Sequence, residues 1–190
     1  ITVKKKDDHI PREIYLVVDA TYFGKRKDGT SWGVILFRDA IKKENLWWKY
    51  VKNERVIDYL EGKEYLERLG YTIESVTADG FLGLPKLFFG IPFQICQFHT
   101  KKTCIKYLTN NPQTEAGKVL LALVKTIPHT DYITFKTRMQ MYMIKYNELL
   151  QEKTFHPLGD WSYTYKNIVC TLRTLSKYID YLFTYYKDKK

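Results

Sequence analysis

Two hydrophobic segments that each run directly into an aspartate constrain this chain more than any other feature. Residues 14–18 (IYLVV) form a continuous apolar run rich in β-branched side chains, and Asp19 follows at once. A run of that kind is the pattern of a strand buried on both faces. Residues 71–78 (YTIESVTA) alternate apolar and polar side chains as a half-buried strand does, and they lead into Asp79 and Gly80. In an open α/β sheet the carboxyl ends of the strands face the crevice where ligands bind. If these two strands are neighbours, their carboxylates converge there.

The intervening segments say what else the sheet contains. Residues 24–30 (GKRKDGT) are a polar loop with an Asp-Gly turn signal, and residues 32–37 are a second apolar run, so the first two strands read as an antiparallel pair. A polar connection over 38–45 leads to Leu46, Trp47, Trp48, Tyr50 and Val51, a third, aromatic-rich strand. Asn53 offers a helix N-cap, and Val56, Tyr59, Leu60, Leu66 and Leu69 recur near helical spacing until Gly70 stops the helix. Beyond Asp79, residues 84–89 predict a turn or two of helix and residues 93–98 a fifth strand. From Lys101 onward the pattern predicts only helices, over 102–108, 115–127, 132–150 and 165–185, separated by Asn-Asn-Pro, Pro128 and His-Pro-Leu-Gly breaks. The expected class is α/β, with the element order of a ribonuclease H-like mixed five-stranded sheet followed by a C-terminal all-helical insertion. Residues 1–100 are expected to form the core and residues 101–190 the insertion.

Charge separates the two parts. The formal net charge is +10, of which residues 1–100 carry +2 and residues 101–190 carry +8. A field of that sign attracts polyanions, nucleic acid first among them. Cys96, Cys104 and Cys170 form neither an even disulfide set nor a CxxC pair, which points to reduced thiols and a cytoplasmic protein. No apolar run approaches the roughly 18 residues of a membrane span, so no membrane partner is expected.

Carboxylates gathered at one sheet edge, with oxygen-only coordination, suit Mg²⁺ or Mn²⁺. A pair of such ions can activate an attacking oxygen and stabilise the leaving one in phosphodiester chemistry. The stretches IYLVVDATYF, SVTADGFLGL and FQICQFH resemble the catalytic core of bacterial insertion-sequence DDE transposases of the Mutator-like kind. That resemblance covers most of the chain. It implies Asp19 and Asp79 as the first two catalytic metal ligands in a two-metal site, and Cys96 with His99 as a C-x-x-H motif beside the active site. It further implies DNA strand cleavage and strand transfer, transposon ends and target DNA as partners, and a homo-oligomer assembled on DNA.

A DDE site also needs a third acidic ligand. In this kind of transposase that Glu lies after the helical insertion, and nothing between Tyr165 and Lys190 resembles the element that carries it, so the expected place is beyond Lys190. Glu115 is the alternative within the chain, because its separation from Asp79 resembles that in compact DDE integrases. A Glu in the first turn of a helix is equally well explained by the macrodipole. A nuclease or resolvase on the same fold, and a catalytically inactive DNA-binding fragment, are the competing functions. For contact with DNA the candidates are Lys25, Arg26 and Lys27 on the first hairpin loop, Trp161 as a stacking side chain, and Lys166, Arg173 and Lys177 among the C-terminal tyrosines.

Overall fold

The computed structural model describes residues 9–25, 28–157 and 159–187. The chain divides into two compact units, residues 1–94 and 95–190.

The first unit is built on a mixed sheet. Its strands are β1 (Glu13–Phe23), β2 (Trp32–Asp39), β3 (Glu44–Val51) and β4 (Thr72–Ala78), and β5 (Phe93–Ile95) completes the sheet at the end of the unit. The spatial order is β3-β2-β1-β4-β5. Short loops make β1–β2 and β2–β3 antiparallel, whereas β4 returns through a helix and pairs with β1 in parallel. That helix, α1 (Val56–Arg68), covers one face of the sheet. Its Gly62 lies so close to the sheet that an added Cβ would stand 2.7 Å from the Trp47 ring and 2.9 Å from Phe37. Phe37 and Trp47 lie beneath α1, and Ile14, Leu16, Val18 and Ile35 are buried on the same face of the sheet.

The run at 14–18 is therefore fully covered on one face only. Tyr15 remains 48% exposed and Val17 half-buried. β1 also does not stop at Asp19 as its apolar run does. It continues to Phe23 because β2 pairs with it along its whole length, from Leu16↔Asp39 to Phe23↔Trp32. The cap differs too: α1 begins after Arg55 and not after Asn53, with no side-chain cap bond.

Buried acids tie this unit together. Asp58 is fully buried and accepts from Arg55 at 3.0 and 3.1 Å, while Lys49 of β3 lies 3.0 Å from it. These partners hold its carboxyl below the usual range: the Arg55 bond contributes most, and burial opposes it. At Asp39 burial pushes the carboxyl up, but Arg12 and the backbone N–H groups of Lys42 and Ile41 outweigh it and the net direction is down. A depressed carboxyl contributes stability above its unfolded value that is lost as pH falls through the folded one. Thermal melts between pH 7 and pH 2 should therefore show the first unit losing stability once the pH drops below about 4. Asp58→Asn should flatten that loss, and an unchanged acid limb in the variant would show that the Asp58 pairs contribute nothing.

The second unit contains α3 (Gln97–Leu108), α4 (Glu115–Lys125), α5 (Tyr132–Lys145), α6 (Asn147–Gln151), α7 (Lys166–Leu182) and α8 (Thr184–Lys187); a four-residue helix, α2 (Leu84–Leu87), belongs to the first unit. Thr114 caps α4 by accepting from the Gly117 N–H at 3.1 Å, and Asp131 caps α5 by accepting from Thr134 at 2.9 Å. α7 buries Ile168, Val169, Leu172, Leu175, Ile179 and Leu182, a stripe at helical spacing. Tyr142 of α5 donates to the Ala116 carbonyl of α4 at 3.0 Å, and Gln97 donates to the Leu182 carbonyl at the end of α7 at 2.8 Å.

The all-helical expectation for residues 101–190 needs correction. An antiparallel pair of three-residue strands, β6 (Lys153–Phe155) and β7 (Trp161–Tyr163), stands between α6 and α7. Strands so short contain too few residues to register a two-residue period, so they pass unseen in the sequence. The expected 132–150 helix breaks at Tyr146, and the expected 165–185 helix breaks at Phe183. The fifth strand is also shorter than 93–98: it ends at Ile95, and Gln97 already starts α3.

Candidate active site

The parallel register of β1 and β4 creates the site. Val18 lies opposite Ala78, where β4 ends, so Asp19 and Asp79 are the next residues on adjacent strands, about 5 Å apart in backbone spacing. Both are half-buried. Asp19 stays in the ladder with β2, opposite Leu36, while its β4 side is open past Ala78. Asp79 starts a turn, and its Oδ1 accepts the Phe81 N–H at 2.9 Å. The register thus sets the backbones of the two aspartates that the sequence singles out next to each other.

The turn after Asp79 is packed on the start of α1. The Phe81 ring stacks on Tyr59 with centroids 5.6 Å apart, and a Cβ at Gly83 would lie 2.7 Å from Val56 Cγ2. Tyr59 is buried and donates its hydroxyl to Glu54. Burial above all, then the bond to Glu54 and the charges of Glu54 and Asp79, push the Tyr59 phenol far above its ordinary value, so it remains a donor. The sequence shows Tyr59 only as one of the apolar positions at helical spacing and does not single out Glu54; the contact between them joins the segment before α1 to its first turn.

Glu115 has other partners. It is 71% exposed in the first turn of α4, with Lys145 Nζ at 3.0 Å and the Tyr146 hydroxyl at 2.8 Å, and these two groups hold its carboxyl below the usual range. Among the described residues no three His, Cys, Asp or Glu side chains lie close enough together to share a metal ion. Two carboxylates with an oxygen-only donor set still fit a hard divalent cation that keeps several waters.

Cys96 and His99 belong to the second unit. Cys96 occupies the N-cap position of α3 without a side-chain cap bond, and His99 lies in the first turn. The C-x-x-H motif therefore opens a helix and is not carried on a strand. His99 Nδ1 is buried with no hydrogen-bond partner among the described residues.

The basic candidates share one helix face. Lys166, Arg173 and Lys177 are exposed on α7 at intervals that return to one side. On the adjoining hairpin Phe155 lies opposite Trp161 and Lys153 opposite Tyr163, so these four side chains project from one side of the ribbon. Phe155 is 74% and Trp161 45% exposed. Lys153 Nζ lies 3.9 Å from the Trp161 ring centroid, and the Arg173 guanidinium 5.2 Å from that of Tyr163. In the first unit Lys25 is exposed and opens the β1–β2 loop; Arg26 and Lys27 lie outside the described residues. Among the described residues no helix is long and apolar enough to cross a membrane. Comparison with models of known families and with curated proteins finds no match to this chain.

Proposed function

We propose that the chain is part of a metal-dependent DNA transposase of the DDE kind, with a ribonuclease H-like catalytic core in which Asp19 and Asp79 hold Mg²⁺ or Mn²⁺. The observation that carries this reading is the Val18↔Ala78 register, which makes Asp19 and Asp79 the residues that follow a directly paired position of adjacent parallel strands. The strand order β3-β2-β1-β4-β5, with its first three strands antiparallel and β4 parallel to β1, supports it as the topology of that core. When bound, the cations would supply charge neutralisation at a scissile phosphodiester and favour the attacking oxygen. The chain itself contributes the oxygen ligands, a turn that fixes Asp79 through the Phe81 N–H, and a cationic, aromatic face suited to phosphates and unpaired bases. The third acidic ligand of the transposase is proposed to come from a segment after Lys190.

A labelled DNA duplex carrying a transposon end, incubated with Mg²⁺ or Mn²⁺ and a form of the protein that extends past Lys190, tests the reading; the 190-residue chain alone should be nearly inactive. Strand cleavage with joining of the 3′ end to a second duplex is the expected result. Hydrolysis without joining would replace it with a nuclease or resolvase. DNA binding without either, at any divalent ion, would favour an inactive DNA-binding fragment, a reading to which the absence of a three-residue ligand group among the described residues lends weight.

DNA affinity should depend steeply on salt, since lysine and arginine side chains that neutralise phosphates release counterions. Replacing Lys166, Arg173 and Lys177 together by Ala should flatten the slope of log affinity against log salt by about 0.9 for each phosphate that is no longer neutralised. A slope equal to that of the unmodified protein would remove α7 from the DNA track.

A further inference from the structure

We propose that Phe23, Trp32 and Tyr50 form a stacking platform for the bases of an unpaired DNA strand, on the same face of the sheet as Asp19. This rests on the DNA reading above. Strand register assigns the face. Phe37 and Trp47 lie beneath α1, and residues paired across a ladder share a side of the sheet, so the side alternates along each strand from there. Val18 pairs with Phe37 and lies on the α1 side, whereas the pairs Asp19 with Leu36, Thr21 with Val34 and Phe23 with Trp32 lie on the other. On β3, Trp48 pairs with Leu36 and Tyr50 with Val34, which puts both on that other side as well.

Three aromatic side chains from three strands thus meet at the end of the sheet beyond Asp19. Phe23 stacks on Trp32 with ring centroids 4.7 Å and planes 27° apart, and the Tyr50 ring lies 5.7 Å from that of Trp32. They remain 45%, 43% and 60% exposed, and a contiguous exposed apolar patch of this kind marks an interaction surface. Charge selects the occupant. Lys25 and Lys52, next but one to Phe23 and Tyr50, are exposed, and the loop over 24–30 carries three basic residues against one acid. Cations bordering exposed rings hold backbone phosphates while the bases stack. A paired base has its faces covered by its neighbours in the duplex, so the platform suits an unpaired strand. Phe23 is four residues from Asp19 along β1, about 13 Å. That span is about four stacked nucleotides, so a strand with its scissile phosphate at Asp19 lays the bases about four nucleotides away on the rings.

Fluorescence anisotropy with the full chain tests this, in EDTA so that the result does not depend on the cation site. The probes are a labelled dT strand of about 15 nucleotides, a strand of equal length with abasic sugars in place of thymidine, and a duplex of that length. Trp32→Leu and Tyr50→Leu keep an apolar side chain and remove the ring. Each should weaken binding of the dT strand about 10-fold, the scale of one lost base stack, and leave the abasic strand and the duplex within about twofold. Trp32→Phe should restore most of the affinity. Melting temperatures are recorded for every variant, and Tyr50, the most exposed of the three rings, carries the test if Trp32→Leu fails to fold. Affinity for the dT strand within about twofold of the unmodified protein in the folded variants, or an equal loss on all three probes, would overturn the platform while leaving the DNA reading in place. Self-association of the unmodified chain in sedimentation that Tyr50→Leu abolishes, with dT affinity unchanged, would overturn it in favour of a second copy on this face. Absence of binding to every probe at low salt would overturn both the platform and the DNA reading.

Discussion

In a form of the protein that extends past Lys190, Asp19→Asn and Asp79→Asn should each reduce the proposed Mg²⁺-dependent strand cleavage by about three orders of magnitude, the scale of losing an electrostatic stabiliser of developing charge. Each exchange is isosteric and removes one of the two carboxylates proposed to hold the cation. Neither residue belongs to the buried core, and the basic face of α7 is untouched, so folding and the proposed DNA binding should persist. Because neither side chain is part of the buried core, the metal-free melting temperature should change little in either variant. Stabilisation by added Mg²⁺ should disappear with the activity, since a ligand raises stability only through the state that binds it. Cleavage at the original rate in either variant would remove the assignment of that carboxylate.

Phe37→Ala is expected to have the largest effect on stability. Phe37 is fully buried, meets the Trp47 ring edge-on at 5.1 Å and lies 6.3 Å from the Tyr59 ring. Emptying that position costs about 3–5 kcal/mol, from a total that is typically about 5–15 kcal/mol. The unfolding midpoint of the first unit should drop by on the order of 20 °C. Phe155→Ala is the matched contrast, because its ring is 74% exposed and its removal should cost no more than about 0.5 kcal/mol. Urea unfolding followed by circular dichroism separates the two. A small effect at Phe37 would mean that the sheet face under α1 repacks freely, which the close approach of Gly62 to Trp47 argues against.

Segments stabilised by their near neighbours were legible in advance. The apolar run 14–18 and the alternation over 71–78 appear as the centre of β1 and as β4, and the amphipathic stripe of α7 falls where helical spacing put it. Asp19 and Asp79 could be singled out because each follows such a segment directly. Glu115 was legible as a first-turn acid, but its partners Lys145 and Tyr146 stand on another helix, 30 and 31 residues further on. The β6–β7 hairpin escaped notice because its strands are stabilised by pairing with each other and not by a long internal pattern.

Sequence alone determined which segments are strands and helices in the first unit, the basic bias of residues 101–190, and two carboxylates at strand positions, because these depend on side-chain periodicity and charge within a few residues. Tertiary structure decided the rest. Only the parallel pairing of β1 with β4 makes Asp19 and Asp79 backbone neighbours, and only the stacking of Phe81 on Tyr59 holds the turn after Asp79 against α1. Those relations join residues far apart along the chain, and they arise from packing α1 against the sheet, where register and close approach are set by long-range packing that no local pattern encodes.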